Sequence, residues 1–326
     1  MPTRRAFLPA AGLLPLAVRL PAGPAAGETV RAVVAADGSG DFRTIQRAVD
    51  HVLDHPPDSV GRVILEIRPG VYRERVKIPQ DKPRVTLAGS GADSTVISYG
   101  MSAGTAGGTF FSPVVEVDGG AFEARNISFE NSFGTGSQAV AVSVHSDRAV
   151  FRHCRFIGWQ DTLYAASGRH YYRDCFIEGH VDFIFGNAAA VFDRCEIRSR
   201  GAGYITAHSR TRSDEPTGFV FRQCRLTAEA SEASGGVFLG RPWRSCARVV
   251  FLDCWMGSHI RPEGWNNWDN PANEKTAWYA ELGSTGPGAN SAARVPWART
   301  ITPAAAAAFA PEAFLKGGDG WDPAPE

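Results

Sequence analysis

A short pattern of aromatic, cysteine and apolar residues recurs through the middle of the chain. Its copies read "FRHCRF", "YRDCFI", "FDRCEI", "FRQCRL" and "FLDCWM", at 151–156, 172–177, 192–197, 221–226 and 251–256. Hydrophobic and polar positions alternate within each copy, which is typical of a β-strand with one buried face. Gly and Asn residues between the copies favour turns. Strand-like units that recur at a period of about 20 residues or more indicate a solenoid.

The intervals between the cysteines predict the length of one coil. The steps are 21, 20, 29 and 30 residues along the series Cys154, Cys175, Cys195, Cys224 and Cys254. The two longer steps predict loops inserted at coil corners, which could form the walls of a cleft. The segment "FEARNISF" (122–129) reads as an earlier copy with Asn126 at the cysteine position. We therefore predict an all-β fold, a right-handed parallel β-helix whose coils stack at about 4.8 Å.

The repeated cysteines have two possible states. Equivalent cysteines on stacked coils would form a buried ladder and behave as small apolar side chains. No CxxC pair and no paired Cys/His spacing favours a zinc site. A disulfide between neighbouring coils, Cys154–Cys175, remains the alternative if the protein is exported.

A solenoid exposes its core at both ends, so each end needs a cover. The segment 41–55 has an apolar helical face, and we predict an N-terminal capping helix there with Asp41 as its N-cap. That face comprises Phe42, Ile45, Val49, Val52 and Leu53. The C-terminal part, from about residue 265 to 326, is rich in Trp, Pro and Ala. We expect it to pack along the barrel and to contain short helices in "AAAAAFAPEAFL".

The first 26 residues differ from the rest of the chain. Arg4 and Arg5 precede an apolar run that is followed by small residues and Pro. This order predicts a twin-arginine-like export signal that is removed, which leaves 27–326 as a single β-helix domain. The apolar run is too short and too interrupted by Pro for a transmembrane helix. We expect a secreted protein, extracellular or periplasmic, with a disordered tail as the alternative interpretation of 1–26.

Length and charge add little to this picture. A chain of 326 residues can bury a substantial core as one large domain. Its formal net charge is zero, which gives no indication of a nucleic-acid or anionic-membrane partner.

Four polar residues recur at an interval of one coil. Asp161 and Asp182 are 21 residues apart, and Gln138 and Gln160 are 22 apart. Stacked coils would therefore bring all four to one patch of one sheet, with strands about 4.8 Å apart. Each residue alone is more often a turn residue or part of a structural ladder, but their coincidence favours a site.

An arginine beside an aromatic ring completes this constellation in "LGRPWRS" (239–245). Arg241 could hold one carboxylate through both oxygens and lower its pKa. The other carboxyl, against Trp159 and Phe183, could have a raised pKa. Such a pair divides into nucleophile and acid, and two amides could stabilise an oxyanion. The set suits acyl transfer.

The same residues lie in a series of motifs that resembles one family. The motifs are "GVYRE" (70–74), "SQAVAV" (137–142), "GWQDTLY" (158–164), "GHVDFIFGNAAAVF" (179–192) and "LGRPW" (239–243). Together they resemble the motif series of the pectin methylesterases (pectinesterases), of a bacterial secreted type. Later pieces, "GW" at 264–265, "YAE" at 279–281, "GPGA" at 286–289 and "RVPW" at 294–297, are similar too. The family has a right-handed parallel β-helix fold, in agreement with the repeat.

The resemblance implies hydrolysis of the C6 methyl esters of homogalacturonan, which releases methanol and acidic pectin. It implies that Asp182 is the nucleophile and that Asp161 is the general acid and then the base. Gln138 and Gln160 match the oxyanion stabilisers, and Arg241 matches the residue that orients Asp182. No metal or organic cofactor is implied. The partner would be methyl-esterified polygalacturonate, bound by a monomer.

Aromatic residues near these motifs resemble substrate-binding positions of the family. They are Trp243, Phe185, Phe183 and Tyr164. For Tyr72 and Glu74 of the first motif we expect a structural or cleft-lining role.

The sequence departs from the family pattern in a few places. Val142 replaces a frequent Leu, and His208 and Ser209 stand where relatives often carry Gln-Gly. We interpret His208 as a surface histidine with satisfied hydrogen bonds, and a subsite role is the alternative. Three other functions remain open: another esterase or thioesterase on this scaffold, a polysaccharide-binding β-helix without catalysis, and a lyase. The cleft loops, about 100–112, 210–218 and 228–236, would decide the ester that is used.

Overall fold

The computed structural model describes residues 28–52, 60–229 and 235–325. The predicted export signal (1–26), its cleavage site and Leu53 of the predicted helix lie outside these residues. Within them the chain winds as a parallel β-helix in which each coil contributes strands to three faces.

The first face is an eleven-stranded parallel sheet in the described part of the chain. Its strands are β1 (Glu28–Val34), β2 (Val60–Ile67), β5 (Val85–Gly89), β8 (Glu123–Arg125), β11 (Ala149–Arg152), β14 (Arg169–Arg173), β16 (Ala189–Asp193), β18 (Gly218–Arg222), β21 (Arg248–Leu252), β23 (Trp278–Leu282) and β24 (Arg299–Thr300).

The other two faces are joined because two long strands run through the corner between them. The strands of the second face are β3 (Gly70–Tyr72), β6 (Thr95–Tyr99), β9 (Ser128–Asn131), β12 (Arg155–Ile157), β19 (Arg225–Ala228) and β22 (Trp255–Met256). The third face contains β4 (Val76–Ile78), β7 (Val115–Val117), β10 (Val142–Val144), β13 (Leu163–Ala165) and β20 (Val237–Pro242). The long strands β15 (Phe176–Gly186) and β17 (Glu196–His208) belong to both faces. The predicted right-handed parallel β-helix is confirmed.

The recurring aromatic residue forms a stack inside the barrel. Successive ring centroids lie 4.9, 4.7, 4.5 and 4.5 Å apart along Phe151, Tyr172, Phe192, Phe221 and Phe251. These rings are fully buried, so the pattern's aromatic position lies in the core. Stacked rings of this kind contribute about 0.5–1.5 kcal/mol per pair beyond their buried area.

The recurring cysteines form the predicted ladder of buried thiols, and none of them is in a disulfide. From Cys175 onward, the amide of the residue after each recurring cysteine donates to the carbonyl of the cysteine one coil earlier, as from Phe176 N to Cys154 O at 2.9 Å. Each repeat thiol also donates to a main-chain carbonyl, as from Cys175 to Arg173 O at 3.4 Å. The structure therefore contains the ladder of free thiols and not the Cys154–Cys175 disulfide.

The residue before each cysteine turns the corner between the first and second faces. His153, Asp174, Arg194, Gln223 and Asp253 all have positive φ values of 51–53°. Asn126 has φ 55° and belongs to this corner series, because Arg152 pairs with Arg125. The prediction that Asn126 occupies the cysteine position is therefore wrong by one residue, and Ile127 occupies it.

Helix α1 (Ile45–Val52) covers the N-terminal end of the barrel, as predicted. Ile45, Ala48 and Val49 are buried in the core. Asp41 is not the N-cap, because it lies four residues before the helix and accepts a hydrogen bond from Val33 N. The carboxylate of Glu74 accepts instead from the first helical amides, Ile45 N and Gln46 N, at 2.8 and 2.9 Å.

The other helices are single turns. They are α2 (Ala103–Ala106), α3 (Asn273–Thr276), α4 (Pro303–Ala306) and α5 (Pro311–Phe314), with 3₁₀ turns at Thr109–Phe111, Ser291–Ala293 and Ala307–Phe309. The C-terminal segment packs on the outer surface of the first face, as predicted. Phe309 and Leu315 join a second apolar cluster there with residues such as Val220. No helix among the described residues is long and apolar enough to cross a membrane.

Candidate active site

The register of two adjacent strands brings Asp161 and Asp182 together. Leu163 of β13 pairs with Ile184 of β15, so the two aspartates stand at equivalent positions two residues earlier. Asp161 N donates to Val181 O at 3.1 Å. The one-coil spacing in the sequence therefore predicts their alignment correctly.

Both aspartates have a left-handed backbone conformation, with φ 65° at Asp161 and 51° at Asp182. This conformation is uncommon outside glycine, although Asp tolerates it better than most residues. Their side chains are only partly accessible, since the exposed fractions of the two residues are 9% and 6%. Two nearly buried carboxyl groups thus lie at equivalent positions of adjacent coils, at the corner between the second and third faces.

Arg241 holds Asp182 through two hydrogen bonds. Its Nε donates to Oδ1 at 2.9 Å, and its Nη2 donates to Oδ2 at 2.6 Å. This forked geometry fits a carboxylate and stabilises its ionised form. Arg241 lies on β20, two coils along from β15, and β17 separates these strands.

The two carboxyl groups differ in their pKa values. Burial raises the pKa of Asp161 to about 8, the charge of Asp182 adds to this shift, and Arg241 opposes it. Burial also raises the pKa of Asp182, against the hydrogen bonds and charge of Arg241. The expectation of a lowered pKa at the arginine-held aspartate is wrong, because desolvation outweighs the ion pair. A carboxyl with a pKa of about 8 keeps its proton at neutral pH, so Asp161 is the candidate proton donor.

Two aromatic rings enclose the guanidinium of Arg241. Its Cζ lies 3.8 Å from the ring centroid of Tyr204 and 3.8 Å from that of Trp268. Two rings cannot occupy one side of a planar group at this distance, so they cover its opposite faces. The edge of the guanidinium remains free for Asp182.

Gln138 and Gln160 lie on adjacent coils, as predicted. Ala139 N donates to Gln160 O at 3.1 Å, which places the two segments side by side. Both residues are half-buried, and their side-chain amides form no hydrogen bond with the part of the chain that the structure describes. These amides remain able to donate to a bound group.

An aromatic surface borders the carboxyl pair on the third face. Tyr164 and Phe185 stack at 4.6 Å, and Phe185 lies 5.9 Å from Trp243. Phe110, from the loop that contains α2, lies 5.1 Å from Tyr164 and 6.4 Å from Trp243. Three of the four predicted substrate-binding residues are thus together, and a predicted cleft loop lies beside them.

The fourth, Phe183, is a wrong prediction. Its side chain is fully buried in the main core of the barrel together with that of Ile184, whereas Phe185 belongs to the separate cluster on the third face. Side chains do not alternate here, because the register of β15 shifts between Val181 and Ile184. Trp159 is half-buried and packs against Arg200, whose Cζ is 4.0 Å from its ring centroid. The raised pKa of Asp161 is caused by general burial and by Asp182.

His208 is not on the surface, contrary to our interpretation. It is fully buried, and its ring meets Phe219 edge-on at 4.6 Å. Its Nδ1 accepts from the amides of Arg210 and Arg248, at 3.4 and 3.2 Å. Burial lowers the pKa of His208 to about 3, so it is a neutral structural residue.

Sequence reasoning missed Tyr204, Trp268 and Phe110. The register explains why, since Thr206 of β17 pairs with Gly240 of β20 across 34 residues and not one 21-residue coil. A search for aromatic residues near Arg241 in the register would have found Tyr204. Trp268 and Phe110 lie in loops, where the repeat gives no register.

The site brings together groups that suit acyl transfer: a carboxylate held by an arginine, a carboxyl whose pKa burial raises to about 8, and two side-chain amides without a partner in the described part of the chain. Among the described residues, no group of three His, Cys, Asp or Glu side chains could hold a metal ion.

Comparison with known proteins gives a consistent result. The family model described as Pectinesterase matches residues 31–319. Pectinesterase 31 of Arabidopsis thaliana is 43% identical over 295 residues, which cover 86% of this chain and 91% of that protein. Such relatives are plant proteins, so the bacterial qualifier in our sequence interpretation is not supported.

Solved structures of similar proteins have the same fold. The pectin methylesterase from carrot has a TM-score of 0.83 and 38% identity, and the match covers 92% of this chain and 96% of that one. A pectin methylesterase in complex with a hexasaccharide has a TM-score of 0.76 and 28% identity, with 90% and 98% covered. The chain therefore belongs to the pectinesterase family.

Proposed function

We propose that this protein hydrolyses the C6 methyl esters of homogalacturonan and releases methanol and acidic pectin. Its family membership and its similarity to pectin methylesterases support ester hydrolysis on pectin. The observation that carries the residue assignment is the Asp182–Arg241 fork on the coils beside Asp161, whose pKa burial raises to about 8.

In the first step, a carboxylate oxygen of Asp182 attacks the carbonyl carbon of the ester. The electron pair of the carbonyl bond moves to the oxygen, which becomes an oxyanion. The free side-chain amides of Gln138 and Gln160 donate hydrogen bonds to this oxyanion. Arg241 orients the attacking carboxylate and keeps it ionised in its buried position.

In the second step, the tetrahedral intermediate collapses and the bond to the methoxy oxygen breaks. Asp161 gives its proton to that oxygen, so methanol leaves as a neutral molecule. An anhydride between Asp182 and the uronate remains. Because Asp161 is now ionised, it takes a proton from water, and the resulting hydroxide attacks the anhydride and frees Asp182.

The aromatic surface would bind the sugar chain of methyl-esterified polygalacturonate. Tyr164 stacks on Phe185, and Phe185 lies 5.9 Å from Trp243. Aromatic faces are suited to the apolar faces of sugar rings and to a methyl ester. The proposed reaction uses only this chain and water, without a cofactor.

We propose on sequence pattern alone that 1–26 direct export by the twin-arginine route and that 27–326 act as a secreted monomer. The twin arginine before a short apolar run supports this proposal. A solenoid domain that covers its own ends does not need a second copy for folding.

The test is methanol release from highly methylated pectin by the wild type and by Asp182→Asn. Asn has nearly the same shape, so the fold should survive while the nucleophile is lost. We expect methanol from the wild type and a loss of about 10⁴-fold or more in the variant. Equal release by both proteins would exclude Asp182 as nucleophile. A folded wild type that releases no methanol from pectin but cleaves small aryl esters would favour another ester substrate.

A further inference from the structure

The guanidinium of Arg241 has an edge and two faces, and each is occupied by a different partner. The edge donates to both oxygens of Asp182, at 2.9 and 2.6 Å. The faces lie 3.8 Å from the ring centroids of Tyr204 and Trp268. Both hydrogen bonds form only while the guanidinium and the carboxylate lie in one plane. A group that fixes the plane of the guanidinium therefore also fixes the orientation of the Asp182 carboxylate.

Tyr204 is itself firmly placed. It lies on β17, paired with Val181 on one side and Phe238 on the other. Its ring stacks on that of Phe238 with centroids 5.4 Å apart and an angle of 9° between the planes. Trp268 lies outside the strands, with φ 60°, and its amide donates to Asn266 Oδ1 at 2.7 Å. Tyr204 is therefore fixed by a strand on each side, whereas Trp268 comes from a loop and packs against the cluster that contains Phe185.

We propose that Tyr204 is a positioning residue for the reaction: its ring face, opposed by Trp268, holds the guanidinium of Arg241 in the plane of the Asp182 carboxylate. Tyr204 acts through its π face and not through its hydroxyl. The ring also keeps water from one face of the ion pair, and such desolvation strengthens both the cation–π contact and the fork.

Without the ring, the arginine side chain can rotate about its terminal bonds and can be hydrated on that face. The fork would then be populated for a smaller fraction of the time. Since burial already raises the pKa of Asp182 and only Arg241 opposes it, a weaker fork raises that pKa further. The nucleophile is then ionised only at higher pH, and its orientation for attack is poorer.

This inference rests on the proposed function, and the experiment separates the two. Methanol release is measured against pH for wild type, Tyr204→Leu and Tyr204→Phe. For Tyr204→Leu we expect kcat to fall about ten-fold, as the loss of one desolvated cation–π contact predicts. The acid limb of kcat/KM should move to higher pH by about one unit, with KM nearly unchanged. Tyr204→Phe keeps the ring and should match the wild type.

Several outcomes would overturn the proposal while the proposed function stands. These are a Tyr204→Leu profile that superimposes on the wild type, a loss confined to KM, or a Tyr204→Phe variant as impaired as Tyr204→Leu. If Tyr204→Leu does not fold, Tyr204→Met fills a similar volume without a π face and takes its place in the same comparison. An inactive wild type would instead refute the proposed function.

Discussion

At the residue scale, Asp161 and Asp182 have a conformation that this barrel otherwise uses for turning corners. Left-handed residues such as His153 and Asp174 recur between the first and second faces, where they carry no reactive group into a cleft. Among the non-glycine residues of the described chain, only the two aspartates have this conformation between the second and third faces. The two carboxyls that we propose to react thus lie on residues with the left-handed backbone that also turns the other corner, and strained backbone of this kind is often found at functional sites.

The pH dependence of the reaction should follow the protonation of Asp161. In the proposed mechanism this carboxyl must be protonated for the second step, in which methanol leaves, and burial raises its pKa to about 8. As the pH rises through about 8, Asp161 loses its proton and can no longer protonate the leaving methoxide. We therefore expect kcat/KM for methanol release to fall on the alkaline side of about pH 8.

The measurement is the initial rate at low pectin concentration between about pH 5 and about pH 10, since kcat/KM reports the free enzyme. Parallel samples without enzyme correct for alkaline hydrolysis of the ester. Asp161→Asn is the matched variant: it cannot give a proton at any pH, so its residual rate should lack this limb. A wild-type profile that rises steadily through pH 9 would contradict the role of Asp161.

At the element scale, the regular part of the barrel could be predicted from the sequence and the irregular part could not. The cysteine repeat predicted stacked strands, and the spacing of 21 residues aligned Asp161 with Asp182. The same alignment misplaced Asn126, which occupies the left-handed corner position that precedes the cysteine position in every copy.

The irregular parts of the structure depend on contacts that the sequence repeat does not predict. Phe183 lies next to the proposed nucleophile in sequence, but its side chain is buried inside the barrel. Tyr204 reaches Arg241 across a coil interval that the repeat does not predict, and Trp268 does so from a loop. Proximity in sequence is therefore a poor guide to the cleft, whereas strand register is a good one.

The capping helix gives a prediction at this scale. Glu74 satisfies the free amides of Ile45 and Gln46 at the start of α1, where a negative charge also interacts favourably with the helix dipole. Glu74→Ala should destabilise the protein by about 1 kcal/mol. A domain of this size should then show a melting temperature lower by about 2 °C.

The measurement is thermal unfolding followed by circular dichroism, with Arg47→Ala as the control. Arg47 is exposed on the same helix, so its loss tests for a general effect of substitutions on α1. Glu74→Gln keeps one acceptor oxygen and should have an intermediate effect. Equal melting temperatures for wild type and Glu74→Ala would refute the capping role.

At the scale of the whole molecule, the first and third faces of the barrel have different roles. The third face carries the site, while the first face carries the C-terminal segment on its outer surface. Three arginines of the first face hold the end of that segment. Arg152 donates to Pro323 O at 2.7 Å and Arg173 to Ala324 O at 3.0 Å, and Arg169 contacts the part before them.

Arg169 is the strongest of these anchors. It forms forked ion pairs with Asp147 of the barrel and Asp319 of the C-terminal segment, and it also donates to Leu315 O and Lys316 O. Its hydrogen bonds lower the pKa values of both aspartates. A lowered pKa in the folded state means that this stabilisation is present above the ordinary aspartate value, about 4, and is lost as the pH falls below it.

We therefore expect Arg169→Met to loosen the C-terminal segment without affecting the reaction. Hydrogen exchange of residues 315–325 should become faster by about ten-fold near neutral pH, since the shared cation of two ion pairs is lost. The kcat and KM for methanol release should stay unchanged, because the site lies on another face. Arg173→Gln removes one main-chain contact and should have a smaller effect. Exchange as slow as in the wild type would show that the apolar contacts of Phe309 and Leu315 suffice to hold the segment.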